Sequence, residues 1–281
     1  MHTMIIAAAF AFLAVASKFN ASLAAPMSRA LFERTTNYAG VVTPSPDQNG
    51  FARVFGTFTL PIVDNPAASK GREVDFWVGI SDGYNLDTER TNEAQAAIVQ
   101  AGVRVSVSED GSQVKYLPWM EWFPQYPVWI EDETALDLEA GDEVKIDIKI
   151  ENPTEALLTI ENVTKGAATR TTHPLTAMSR DRDAPKDLPQ HPAVPIQPYY
   201  AVWMAENHAR VDPKEYTSRA IPFLDFGEVR FSSCGAVAKS GAKSDLSLGQ
   251  TVTMDQESPL PAKAVVTDKS NSGFSLRVTA A

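Results

Sequence analysis

Val144-Lys145-Ile146-Asp147-Ile148-Lys149-Ile150 alternates without a break, with β-branched residues at one parity and charges at the other. Successive side chains of a strand point to opposite faces, so this period of two excludes a helix and calls for a sheet buried on one side. Val103, Val105 and Val107 repeat the pattern, with Arg104 and Ser106 opposite. Further strands are predicted over Phe51–Leu60, Val74–Ile80, Ala156–Val163, Tyr199–Asn207 and Phe223–Phe231, with closing strands over Ala264–Thr267 and Phe274–Val278. Asn49-Gly50, Glu109-Asp110-Gly111-Ser112 and Ala140-Gly141-Asp142 supply turns between them. Only Thr88–Val99 has helical periodicity, and the crossover helices of a parallel α/β fold are missing. The predicted fold class is therefore all-β, with two antiparallel sheets packed face to face as a β-sandwich. At 281 residues, 44% of them hydrophobic, one such domain with a sizeable core is expected.

Trp119-Met120-Glu121-Trp122-Phe123-Pro124 is aromatic at both parities. Trp119, Glu121 and Phe123 point one way and Met120, Trp122 and Pro124 the other. One face suits a core. The other combines aromatics with a carboxylate and suggests a lined groove over an extended ligand.

The two ends and one internal stretch lack this regularity. Met4–Ala16 is an apolar, alanine-rich run too short to span a bilayer, and small residues at Ala14-Val15-Ala16 and Ser22-Leu23-Ala24 suit a signal peptidase. Residues 1–24 are therefore expected to be a secretory leader, residues 25–36 a short extension or propeptide, and residues 37–281 the sandwich. Asn162-Val163-Thr164 is a sequon that marks Asn162 as a candidate glycosylation site. Residues 173–198 contain six prolines and read as an exposed loop, and Ala236–Pro261 is polar and loosely patterned. A formal net charge of -10 argues against binding nucleic acid through its phosphates. Secretion, no membrane attachment after removal of the leader, and a monomer are expected.

The residue inventory narrows the chemistry. Of four histidines only His208 lies in a strand-like context, and no serine sits in a Gly-x-Ser-x-Gly elbow, so a serine triad is poorly supported. There is no His-Glu-x-x-His, no cysteine pair beside the lone Cys234, and no Asp-Thr-Gly or Asp-Ser-Gly triplet. Neither a metal nor a cofactor is expected. Cys234 reads as a small buried side chain at a strand end. Carboxylates on aromatic strand faces remain.

Seven short motifs follow one another between Asn37 and Phe231: Asn37–Gly40, Phe55–Pro61, Phe76–Ile80, Ile98–Gly102, Trp119–Pro124, Ala201–Glu206 and Pro222–Gly227. Their order resembles the glutamic peptidases (eqolisins). The resemblance implies a concanavalin-like jelly roll whose concave sheet binds a polypeptide, with a glutamine and a glutamate as the catalytic pair. In this sequence these fall on Gln100 and Glu206. It also implies that Trp77, Asp82, Trp119, Glu121, Trp122 and Trp203 line or support the substrate groove. Tyr38 stands where the family has tryptophan, and Gln125 where it has an acidic residue.

The residues themselves are compatible with those roles. Gln100 shares strand parity with Arg104 and Ser106, away from the valines, and Glu206 shares parity with Tyr200, Val202 and Met204. The implied reaction is acid endopeptidase hydrolysis, with Glu206 as general base and then acid on water and Gln100 stabilising the oxyanion. Three other readings stay open: a glycoside hydrolase using Glu121 and Glu206, a lectin-like module with aromatic sugar platforms, and a peptidase-like sandwich that has lost activity.

Overall fold

The computed structural model describes residues 34–35, 37–82, 97–125, 127–174, 194–207, 209–211, 218–220, 223–256 and 262–279. The expected leader lies outside them, as does the extension apart from Arg34–Thr35. In chain order the strands begin with β1 (Arg34–Thr35), β2 (Tyr38–Pro44), β3 (Phe51–Thr59), β4 (Glu73–Ser81), β5 (Ile98–Val107), β6 (Val114–Phe123) and β7 (Val128–Trp129). After the helical turn α1 (Glu133–Leu136) come β8 (Glu143–Asn152), β9 (Glu155–Asn162), β10 (Ala167–Pro174), β11 (Tyr200–Glu206), β12 (Ala209–Val211) and β13 (Ser218–Ala220). The last five are β14 (Glu228–Ala238), β15 (Lys243–Ser244), β16 (Gln250–Gln256), β17 (Ala262–Thr267) and β18 (Phe274–Thr279).

Hydrogen bonding links fourteen of them along one path, β10-β9-β8-β3-β14-β18-β17-β16-β2-β11-β4-β5-β6-β7, with β1 on β16, β15 on β14, and β12 and β13 paired separately. The path doubles back on itself. β3 packs on β4 and β11, β8 on β4 and β5, and β9 on β5, so the two halves face each other as layers. Alternation determines what lies between them. Val144, Ile146 and Ile148 of β8 meet Val99, Ala101, Val103 and Val105 of β5 and Phe76 and Val78 of β4 in a single core. Each fully buried aliphatic side chain there contributes roughly 1.5–3 kcal/mol. The opposite parity of β8 carries exposed ion pairs, Arg53 with Asp147 and Lys145 with Glu161.

The β2-β11-β4-β5-β6 half has a second, outer face. Val42, Trp77, Ile98, Trp119, Val202, Met204 and Val252 form an apolar cluster there, separate from the main core.

Several sequence expectations change. Phe223–Phe231 is not one strand: Phe223 makes an isolated bridge to Glu73, and β14 starts only at Glu228, after a turn at Gly227 with φ 63°. Cys234 lies within β14, not at its end, where the register to β3 shifts beside Ser233 at φ 50°. It is buried, and burial raises its thiol pKa. The loosely patterned tail contains β16, which joins β2 to β17. Of the helical stretch at Thr88–Val99, residues 88–96 lie outside the described residues, and Ile98 and Val99 are strand. Residues 175–193 of the proline-rich stretch also lie outside them. β10 reaches Pro174, and at the other end of that stretch Ile196 and Pro198 are buried while Pro195 and Gln197 are exposed.

Candidate active site

Register places the polar residues of the outer face. On β11, Glu206 lies between Tyr38 of β2 and Asp75 of β4, and Met204 lies between Gly40 and Trp77. On β5, Gln100 lies between Gly79 of β4 and Glu121 of β6, while Gly102 lies between Trp77 and Trp119. Glu206, Trp77 and Gln100 therefore follow one another along a diagonal of the sheet. Diagonal neighbours are about 7 Å apart, within reach of long and aromatic side chains.

Glycines open the floor beneath these side chains. A Cβ at Gly79 would lie 3.1 Å from both the Trp77 ring and the Gln100 Cβ. A Cβ at Gly102 would lie 2.4 Å from the Phe76 carbonyl oxygen, 2.7 Å from the Trp77 Cβ and 3.1 Å from the Trp119 ring. The two indoles can lie down over the sheet because neither position has a side chain.

Two hydrogen bonds organise the carboxylates. The Trp77 indole N–H donates to Glu206 Oε2 at 3.0 Å, and the Gln100 side-chain amide donates to Glu121 Oε2. The direct partner of Gln100 is thus Glu121, while Glu206 lies two diagonal steps away, held by Trp77 and by the Tyr38 hydroxyl. Tyr38 also meets Trp77 edge to face, with centroids 6.3 Å apart.

Charge ties the cluster together. Burial pushes the Glu121 carboxyl up to about 8; the charges of Glu206 and Asp75 push the same way, against the Gln100 hydrogen bond and the Arg104 charge. Tyr38 is raised well above its ordinary value, first by burial and then by the Glu206 charge. Arg104 grips Asp75 with Nε and Nη2, both at 2.9 Å, and lies 4.6 Å over the Trp129 ring. Burial opposes its charge, but Asp75, Glu73 and Glu206 outweigh that and raise its pKa.

Not every expected site residue faces this cluster. Trp122 and Trp203 are fully buried in the core between the layers, where their indole N–H groups donate to the carbonyls of Val194 and Phe55, each at 3.0 Å. Their assignment to substrate contact is corrected: they sit one position from Glu121 and three from Glu206, at the parity that faces inward, and support the sheet from beneath. Asp82 is tied to Ala97, its Oδ2 accepting from Ala97 N at 2.9 Å while its own N–H donates to the Ala97 carbonyl. Asn162 is fully buried. Its Nδ2 donates to Leu136 O at 3.0 Å and to Asp142 Oδ2 at 2.8 Å, so the atom that would carry a glycan is already committed and the sequon reading is corrected. The sequence reading missed Asp75, Gly79 and Gly102, although period two from Trp77 places the first two on its face. Among the described residues no group of three or more His, Cys, Asp or Glu could hold a metal ion.

Comparison with solved structures supports the same architecture. Scytalido-glutamic peptidase with a transition state analog inhibitor matches at TM-score 0.65 and 20% identity, covering 87% of this chain and 98% of that one. The eqolisin SCP-B, in complex with the tripeptide Ala-Ile-His, matches at TM-score 0.62 and 18% identity over the same shares, 87% and 98%. Aspergilloglutamic peptidase from Aspergillus niger matches at TM-score 0.53 and 22% identity, covering 74% of this chain and 99% of that one. No curated protein sequence matches. The model of the Peptidase A4 family matches residues 36–278, which include every strand of the outer face, and the chain therefore belongs to that family, the glutamic peptidases.

Proposed function

We propose that this protein is a secreted endopeptidase that hydrolyses polypeptides laid across the outer face at acidic pH, acting as a monomer. The observation that carries the reading is the diagonal Glu206–Trp77–Gln100, with Gln100 bonded to Glu121, in a chain of this family. Glu206 takes a proton from a water, which attacks the peptide carbonyl, and returns it to the leaving nitrogen. The Gln100 amide has two N–H groups. One is bonded to Glu121 and the other is directed to the developing oxyanion. Trp77 and Tyr38 hold Glu206, and Glu121 orients Gln100. The tripeptide and the transition state analog bound by the structural relatives support a polypeptide as the substrate.

Incubating the secreted protein with denatured protein at acidic pH should generate new peptide termini, and Glu206→Gln should abolish them. Intact substrate, or cleavage of glycan in its place, would overturn the reading. Sequencing of the extracellular protein should find its N-terminus between Ser17 and Pro26, or later if a propeptide is removed; a protein that retains Met1 would refute export through the leader.

A further inference from the structure

Among the buried polar atoms without a hydrogen-bond partner in the described residues, two are neighbours on the outer face: the Trp119 indole nitrogen and the Gln100 side-chain oxygen. Both side chains are deeply buried, Trp119 at 4% exposure and Gln100 at 5%. An unpaired buried polar group costs about 1–3 kcal/mol, so a fold that retains two of them side by side calls for a ligand that satisfies both. They are close neighbours. Gln100 pairs with Glu121 and Gly102 with Trp119, so Trp119 is the diagonal neighbour of Gln100, and its ring lies over the bare floor of Gly102.

One of these atoms is a donor and the other an acceptor. An extended polypeptide presents the complementary pair, because the N–H and C=O of one residue point to the same side of the chain. A sugar hydroxyl needs no such separated pair, and an anion would be opposed by the acceptor oxygen of Gln100. We infer that Trp119 and Gln100 together clamp one residue of the substrate backbone, the Trp119 N–H donating to its carbonyl oxygen and the Gln100 oxygen accepting from its N–H. Trp119 is then a positioning residue that reads backbone and not side chain, and it fixes where the chain lies relative to Glu206. The inference rests on the polypeptide substrate proposed above.

Trp119→Phe tests it, since phenylalanine keeps an aromatic ring and removes the N–H. Binding of an uncleaved peptide is measured by calorimetry in the Glu206→Gln background, with turnover followed separately in the otherwise unaltered enzyme. The expected result is a peptide Kd weakened about tenfold by Trp119→Phe, as for the loss of one backbone hydrogen bond. KM should rise more than kcat falls, while the Tm without peptide stays level or increases because a buried unpaired donor has gone. A peptide with its carbonyl replaced by a weaker acceptor at the clamped residue should lose affinity for the parent and not for Trp119→Phe. Unchanged affinity in Trp119→Phe, or a lowered Tm with kcat and KM unaffected, overturns the clamp while leaving the hydrolytic reading intact. Binding that depends on Trp119 without any cleavage by the parent protein supports the clamp and refutes hydrolysis. A parent that binds no peptide overturns both.

Discussion

Gln100 donates its side-chain amide to Glu121, its directly opposed partner on the next strand, and the acceptor is a carboxyl that burial pushes up to about 8. Glu121 is therefore neutral at acidic pH and accepts the amide hydrogen without placing a charge beside the oxyanion that Gln100 is proposed to stabilise.

The pH dependence follows from that. As pH rises through about 8 Glu121 ionises, and a carboxylate next to the developing oxyanion opposes the reaction, so kcat/KM should fall on that side. Stability moves in the same direction. The folded pKa is raised above the ordinary value of 4.5, so the folded state binds more protons than the unfolded one in between; the contribution is fully present below about 4.5 and lost as pH rises through about 8. Glu121→Gln should leave the acid-side rate within a few-fold, remove the upper limb and flatten the loss of stability. An upper limb that persists in this variant would assign it to another group.

The Trp77–Glu206 bond supports a second prediction. Trp77→Phe keeps a ring over Gly79 but takes a donor from the carboxylate, and a hydrogen bond to a charged group is worth about 1.5–3 kcal/mol, or roughly tenfold to a hundredfold in rate. The acid-side limb of the pH profile should also move to higher pH, since the lost bond favoured the ionised form. Gln100→Ala should cost roughly a hundredfold to a thousandfold in kcat. Initial rates across pH check both. Gln100→Ala with near-normal proteolysis in a folded protein would remove Gln100 from the reaction.

Strands that keep one face buried throughout were legible in the sequence, because a period of two is a local signal: Val144, Ile146 and Ile148 of β8 are all core. β16 was not, and its residues show why. Val252 belongs to the outer cluster while Met254, at the same parity, belongs to the core, so a strand that passes from one layer to the other has no constant buried face. Parity already separated Trp122 from Glu121 and Trp203 from Glu206, yet which parity faced outward depended on the opposing layer. The diagonal from Glu206 to Gln100 depended on the register of β11 against β4, a strand far from it in sequence, which no local pattern encodes.

Asn162 continues the inward parity of Leu158 and Ile160, and its burial gives a stability prediction. Asn162→Ala removes the donor to Asp142 and to the Leu136 carbonyl, leaving buried acceptors unsatisfied at a cost of about 1–3 kcal/mol. Asn162→Asp should be worse, since it sets a second carboxylate against Asp142. Chemical denaturation orders the variants, and enzymatic deglycosylation of the native protein should leave its mass unchanged at this site. A glycan found on Asn162 in correctly folded protein would contradict the geometry.

Arg104 pairs with Asp75 and Glu73 on the outer face, beside the proposed site. It grips Asp75 with two nitrogens at 2.9 Å, its Nη1 lies 3.8 Å from Glu73 Oε2, and its guanidinium lies over Trp129. Removing one partner of a buried ion pair typically costs 3–5 kcal/mol, so Arg104→Ala should destabilise the protein by about that much. Arg104→Lys keeps the charge but not the planar fork or the stacking, and should recover only part of the loss. The two effects are separable. Arg104 also lowers the Glu121 pKa, so in either variant that retains less of its field Glu121 should ionise at higher pH and the upper limb of kcat/KM should move upward with it. Equilibrium denaturation measures the first effect and the pH profile the second; a destabilised Arg104→Ala whose upper limb stayed in place would show that Arg104 holds the fold without reaching the site.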